Sequence, residues 1–341
     1  MKYLKFVIGL LISGVCLWLA IKDIQFSKVG DALSTLNWWW LLAVSIPTMI
    51  VIYFKVWRNQ LLLKPDHVHK YRLFTALMIS YLWNTILPAR LGEVVRAYTV
   101  ARTEKIGTVR VFSAILLEKI LDIIPCFVLI LGLIPFLSIE DGLKTSVLLL
   151  GSAMVAAFLV CLLMAWQRNR AEKFIKFVLK LLPQKIAHKL YSFAEEVLDA
   201  VSILLNPRIA VVLFIQSMVQ WTLNSLIYLW VAWAVGLPMS FEVGMMVMIA
   251  SNLGMVVPAA PGYIGTFEVV IMAVLPASMN AAYANRDLVF TYALLEHIVG
   301  FLPVVLLGAY YTWHEGLKLG KVDKSLEQES LTASVAEVKT P

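Results

Sequence analysis

Apolar stretches of membrane-spanning length recur from end to end of this chain, at residues 6–21, 38–54, 73–89, 123–139, 145–167, 209–241, 243–267, 269–285 and 298–313, and none of them contains a charged residue. A helix needs about 20 apolar residues to cross the hydrocarbon core, and it satisfies its own backbone there. The pattern therefore predicts an all-α integral membrane protein with about six transmembrane helices, over residues 5–21, 38–57, 111–137, 143–166, 209–236 and 288–313. Residues 22–37 read as a short external loop.

Two apolar stretches do not fit a simple crossing. Residues 73–89 lie between the basic segments 58–72 and 90–110, so both ends face one side. A re-entrant helical hairpin turning at Leu87-Pro88-Ala89 resolves this. Residues 243–275 carry Pro258, Pro261, Gly262 and Gly265 at their middle and read as a second hairpin entering from the opposite side. Irregular backbone at membrane depth is tolerated only where protein or a wet cavity surrounds it. The order helix–hairpin–helix at 38–137 returns at 209–313, upside down. An inverted-topology repeat with broken segments at its centre points to a transporter site.

Charge placement sets the orientation. Most of the 29 Lys and Arg residues fall in 58–72, 90–110, 168–208 and the tail after Lys318, the cytoplasmic excess of the positive-inside rule. Both termini are expected on the cytoplasmic side of a bacterial inner membrane. The net charge of +7 is thereby explained by topology and lipid attraction, and no nucleic-acid partner is expected. Residues 1–320 form one polytopic domain. Within it, 168–208 is a cytoplasmic amphipathic segment, with Lys173, Lys176 and Lys180 interleaved among apolar residues and a break at Pro183. Residues 321–341 are polar and aperiodic, a disordered tail.

Candidate chemistry lies inside the apolar frame. Leu116-Leu117-Glu118-Lys119-Ile120 and Leu294-Leu295-Glu296-His297-Ile298 are near copies, each followed by a proline seven residues after its glutamate, Pro125 and Pro303. An ionisable group costs roughly 2.5–3.5 kcal/mol to insert at bilayer depth, so its recurrence marks a functional interior. Glu93-Val94-Val95 after Gly92 is echoed by Glu268-Val269-Val270 after Gly265, at an offset of 175 residues against 178 for Glu118 and Glu296.

Pro88 suits the start of a half-helix, and Arg90, Glu93 and Arg96 at spacings of three share one face. Free amides plus two guanidiniums would take a phosphate or carboxylate; ordinary anchoring, with a Glu93 salt bridge, is the competing reading. Glu118 and Asp122 share a face with Lys119 beside it. They, with Glu268, Glu296 and His297, form either a polar path or structural ion pairs. Asn84 and Asn252 precede the two turns, where their amides are placed to satisfy freed backbone groups. The uncharged turn 258–265 reads as a hinge, its amides secondarily available to an anion.

No His/Cys/carboxylate cluster has metal spacing, and Cys16, Cys126 and Cys161 all sit in apolar runs. Neither a phosphate-binding loop nor a nucleophile elbow is present, so no cofactor, metal or catalytic residue is expected.

Asn84-x3-Pro88-Ala89-Arg90-Leu91-Gly92-Glu93-Val94-Val95-Arg96 and Pro261-Gly262-x2-Gly265-x2-Glu268 resemble the membrane region of lysylphosphatidylglycerol synthases, the flippase-like family. The resemblance spans roughly residues 5–315. It implies translocation of a lipid between leaflets, a phospholipid or a polyprenyl-linked substrate. In larger relatives the region is fused to an aminoacyl transferase or a glycosyltransferase; neither accompanies it in this sequence, so the resemblance implies a separate lipid-modifying enzyme or glycosyltransferase as partner. Tyr263 departs from the pattern, standing where many relatives place a second glycine.

The expectation is a lipid flippase that moves an anionic or lipid-linked headgroup through a charged groove. Its substrate-binding residues would be Arg90, Glu93, Arg96, Glu118, Lys119, Asp122, Glu268, Glu296 and His297. A small-solute secondary transporter and an integral membrane transferase are the alternatives. Oligomeric state is left open.

Overall fold

The computed structural model describes residues 2–87, 91–133, 141–180, 183–255, 260–278 and 285–316, which form thirteen α-helices and two short 3₁₀ turns with no strand among them. Pro88, Ala89, Arg90, Pro258 and the tail 321–341 lie outside the described residues, and so do the expectations attached to them. Among the described residues, four helices are long and apolar enough to cross a membrane: Trp38–Leu62, Pro207–Ala234, Pro261–Ser278 and Arg286–His314. A fifth crossing results if the bent pair Gly151–Trp166 and Arg168–Leu179 counts as one span. One of the four falls in the second half of the 243–275 segment. The expected crossing at 111–137 runs past the described end of its helix at Leu133, and residues 134–137 lie outside the described residues.

Helix α1 (Lys2–Ile21) is followed by α2 (Phe26–Ser34), where the sequence reading expects a loop. The reason is amphipathicity. Phe26, Val29 and Leu33 recur at helical spacing and pack with Phe290, while Asp287 accepts from the Gln25 backbone N–H at 2.9 Å and pairs with Lys28 at 3.5 Å.

Eight helices form two matching sets. The first is α3 (Trp38–Leu62), α4 (Lys70–Ile86), α5 (Gly92–Glu104) and α6 (Thr108–Leu133). Helices α7 (Asp141–Trp166), α8 (Arg168–Leu179) and α9 (Gln184–Ser202) intervene. Then come α10 (Pro207–Ala234), α11 (Phe241–Gly254), α12 (Thr266–Ser278) and α13 (Arg286–His314). The packing partners correspond as well: α3 with α4 and α10 with α11, α5 with α6 and α12 with α13, α4 with α13 and α11 with α6. Helices α3 and α10, which hold the same place in each set, run antiparallel. The Asn37 N–H donates to Ala234 O at 2.9 Å at one end, and Gln216 Nε2 donates to Phe54 O at 3.1 Å toward the other.

Helices α4 and α5 run antiparallel as well. The start of α4 meets the end of α5 where the His69 N–H donates to Glu104 at 3.3 Å. At the opposite end Gly92 approaches so closely that a Cβ there would stand 2.3 Å from Ser80 O and 2.5 Å from Asn84 N. Only a glycine admits that contact. Helices α11 and α12 repeat the arrangement, with Gly254 against Val270 at one end and Ser278 Oγ 3.3 Å from Met246 Sδ at the other. The two pairs meet at their turns: a Cβ on Gly262 would lie 3.6 Å from Thr85 Cγ2.

Outward faces remain apolar at helical spacing. Leu302, Leu306 and Trp313 on α13, and Leu42, Ile46 and Met49 on α3, are all at least half exposed. Such surface belongs in lipid. Trp38 and Trp39 face outward at one end of α3, and Trp40 packs between Trp230 and Trp233 at 5.9 and 4.8 Å, as an interfacial belt requires. The amphipathic segment is helical on both sides of Pro183, as expected, with Phe174 and Phe177 exposed and Ile175 turned into the core.

Candidate functional site

Helix α3 continues to Leu62, past the residue where the sequence reading ends it at 57. Arg58, expected to close the helix in a basic segment, is instead fully buried. Its cost is offset by two carboxylates from α6. Nη1 donates to Asp122 Oδ1 at 2.7 Å and to Ser217 Oγ at 2.9 Å; Nη2 donates to Asp122 Oδ2 at 3.2 Å and stands 3.3 Å from Glu118 Oε1. Such a two-pronged contact is the strongest form of arginine–carboxylate pairing.

Glu118 is saturated. Its Oε2 accepts from Asn59 Nδ2 at 2.5 Å and from Arg96 Nη2 at 3.1 Å. Arg96 Nη1 also reaches Glu93 Oε2 at 3.4 Å, and Lys119 Nζ stands 2.8 Å from Glu93 Oε1. The chain Asp122–Arg58–Glu118–Arg96–Glu93–Lys119 thus joins α3, α5 and α6 with three charges of each sign. Its interior is dry and its ends are wet: the side chains of Arg58, Glu118 and Arg96 are 0–2% exposed, against 41% for Lys119, 21% for Asp122 and 17% for Glu93. Near this end Lys55 Nζ donates to the Tyr81 hydroxyl at 2.9 Å.

The second set holds a counterpart. Glu268 Oε2 accepts from the Gly265 N–H at 2.7 Å, capping its own helix, and Oε1 is 2.5 Å from His297 Nδ1. His297 Nε2 lies 2.9 Å from Gly262 O, an acceptor only, so Nε2 carries hydrogen. Glu268–His297 therefore stands where Glu93–Lys119 stands in the first set, an α12–α13 pair matching an α5–α6 pair. Phe267 lies tilted against the imidazole at 4.8 Å and Phe301 meets it edge-on at 4.7 Å.

Glu296 breaks the correspondence. Glu118 and Glu296 each stand ten residues after the first residue of their helices, about 15 Å along the axis. Yet Glu296 is 2% exposed with an Oε2 that has no partner. Its electrostatic neighbours are the hydroxyls of Tyr228 and Tyr292, both buried. Tyr292 donates to Tyr228 O at 3.3 Å.

Of the expected site residues, Glu93, Arg96, Glu118, Lys119 and Asp122 come together in one network, and Glu268 with His297 in another. Anchoring at the surface is not the position of Arg96, which is buried. Asn84 and Asn252 do not serve the turns by any described bond: Asn84 Nδ2 donates to Ser80 Oγ at 3.4 Å and Asn252 Nδ2 to Met248 O at 2.9 Å, each within its own helix. Two described turn amides are engaged within the protein, Ala260 with Ser13 Oγ at 2.7 Å and Gly265 with Glu268 Oε2 at 2.7 Å. Gly262 and Gly265 do make the turn, at φ of +76° and +87°, and Tyr263 between them takes φ +58°. Sequence reasoning missed Arg58, Asn59, Ser217, Tyr228 and Tyr292. The one available signal was Lys55, Arg58, Asn59 and Leu62, whose spacing carries a helical face onward past residue 57.

Buried ion networks within a bundle clad in apolar side chains define a multi-pass helical membrane protein. The family model for the lysylphosphatidylglycerol synthase TM region matches residues 6–308, and the chain belongs to that family, whose name ties it to membrane lipids. No curated protein matches it.

Proposed function

We propose that this chain translocates a membrane lipid between leaflets, passing an anionic or lipid-linked headgroup along its ion networks while the acyl tails stay in the bilayer. The observation that carries the reading is the meeting of two antiparallel helix pairs at their turns, beside the wet end of the ion network. Helices α4, α5, α11 and α12 have 17, 13, 14 and 13 residues, hence lengths of about 20–25 Å. A hydrocarbon core of about 30 Å is longer than any of them, which supports re-entrant hairpins, although α12 together with its preceding 3₁₀ turn, Pro261–Ser278, reaches the length of a crossing. The antiparallel run of α3 against α10 supports an inverted repeat, and rocking one repeat against the other would give alternating access. The basic segments support cytoplasmic termini in a bacterial inner membrane.

Lys119, Asp122 and Glu93 are the groups a headgroup would meet first, because they are the exposed ends of the network. Arg58, Arg96 and Glu118 hold one another and the helices in place. Arg96 and Glu118 would meet a headgroup only as those pairs open.

The test is translocation of a fluorescent phosphatidylglycerol in liposomes, read by external quenching. Lys119→Met removes one charge-assisted contact worth about 1.5–3 kcal/mol, which slows transfer by about tenfold or more. Unchanged transfer by this folded variant would refute the role. Covalent lipid product would instead identify a transferase, and uptake of a water-soluble anion with no lipid movement a solute transporter.

A further inference from the structure

Two halves built alike treat their central carboxyl groups differently. Glu118 is held by Arg58, Asn59 and Arg96. Glu296, at the same depth in α13, has no cation and an Oε2 without a hydrogen bond. At the repeat offset of 175 residues, Ile271 stands where Arg96 stands, and it is fully buried.

Among the described residues, no charged group on a helix packed against α13 pairs with Glu296; Arg208 of α10 and Asp31 of α2 lie at the ends of their helices. On α12, Glu268 is held by His297, whose two nitrogens face Glu268 and Gly262. On α4, Arg72 pairs with Glu315 and Lys70 with the Tyr53 hydroxyl, and Tyr81 takes Lys55. On α2, Lys28 pairs with Asp287. Only Tyr228 of α10 and Tyr292 of α13 face Glu296, and both hydroxyls are neutral groups. A bare carboxylate in such a site is far more costly than a carboxylic acid, which needs only a proton.

We propose that Glu296 is a proton-binding site at the centre of the second repeat, carboxylic acid in the dry conformation described here and carboxylate when water reaches it. One proton from water adds to one carboxylate oxygen, taking the side chain from −1 to 0, and the reverse step returns it to water. The site stands on this geometry alone. Its coupling to headgroup movement rests on the translocation reading: a proton taken up on one face and released on the other would accompany each anionic headgroup.

Infrared difference spectra of the full chain in lipid nanodiscs, recorded across pH, test the site. The wild type should show a protonated-carboxyl band near neutral pH, and Glu296→Gln should lose it. Absence of the band in the wild type, or its persistence in Glu296→Gln, overturns the proposal. Should Glu296→Gln fail to fold, Tyr228→Phe removes a neighbouring hydroxyl and must shift the band; an unshifted band assigns it elsewhere and overturns the proposal too. In liposomes, one pH unit across the bilayer should bias the leaflet distribution of fluorescent phosphatidylglycerol by up to about tenfold. A band lost in Glu296→Gln together with no lipid movement by the wild type keeps the proton site and refutes the translocation reading. Lipid movement indifferent to the gradient overturns the coupling.

Discussion

Arg58 is the residue whose removal separates a load-sharing ion network from a set of independent pairs. In Arg58→Met, Asp122 loses partners on both oxygens and Ser217 loses its donor, while Glu118 keeps Arg96 and Asn59. The network falls from three charges of each sign to three acids against Arg96 and Lys119. Stripping one partner from a buried pair costs about 3–5 kcal/mol, and because Asp122 is 21% exposed, water recovers part of that. The expected loss is therefore about 3 kcal/mol. Asp122→Leu alone strands Arg58 less severely, at about 1.5–2 kcal/mol, since Glu118 remains beside it. The double variant Arg58→Met/Asp122→Leu removes one charge of each sign and restores the balance. It should be at least as stable as Arg58→Met, which gives a coupling above about 1.5 kcal/mol. Ordinary interhelical hydrogen bonds in membranes average about 0.6 kcal/mol, so the difference is diagnostic. Equilibrium unfolding in mixed micelles, followed through the 11 tryptophans, reads all four proteins. Additivity of the single losses within about 0.5 kcal/mol would refute the network.

Two further outcomes follow from the hairpins. Gly92→Ala places a methyl 2.3 Å from Ser80 O and 2.5 Å from Asn84 N, both backbone, so no rotamer relieves it; a loss of about 1–3 kcal/mol is expected in the same unfolding measurement, whereas Gly14→Ala, with open space around it, should be neutral. Tyr263 holds φ +58° while its ring packs on Phe301 at 6.1 Å. Tyr263→Ala keeps the backbone strain and loses the ring, so it should be less stable than Tyr263→Gly by about 1 kcal/mol; the opposite order would show that the turn is unstrained.

Much of this arrangement was legible in the chain, because period and charge report on position. The repeated Leu-Leu-Glu and Gly-then-Glu-Val-Val segments marked α5, α6, α12 and α13, and the close approach of Gly92 and the positive φ of Gly262 and Gly265 explain why glycine recurs there. Pro183 divided α8 from α9 as read. Arg58 was not legible, since an arginine after an apolar run looks the same whether it meets headgroups or two carboxylates from another helix. The long-range partner decides, and one sequence does not display it. Helix α2 was hidden for a related reason: Phe26, Val29 and Leu33 make an apolar stripe too short to stand out until Phe290 covers it.

The asymmetry between the halves bears on how an inverted repeat can work at all. If both repeats carried the same side chains, the inward and outward states of a rocking machine would be mirror images of equal energy. Here one central carboxyl is locked by two guanidiniums, and the other has only tyrosines beside it. Opening the first half means separating ion pairs, at a cost of several kcal/mol unless a headgroup replaces the lost partner. Opening the second half means wetting Glu296, which is favourable once the acid can release its proton. An anionic headgroup is the chemistry that lowers the first cost, by taking over from Glu93 or Glu118 on Lys119 and Arg96. On the translocation proposal the two halves would respond to different ligands, a lipid anion in one and a proton in the other, and both would set the energy gap between the two states.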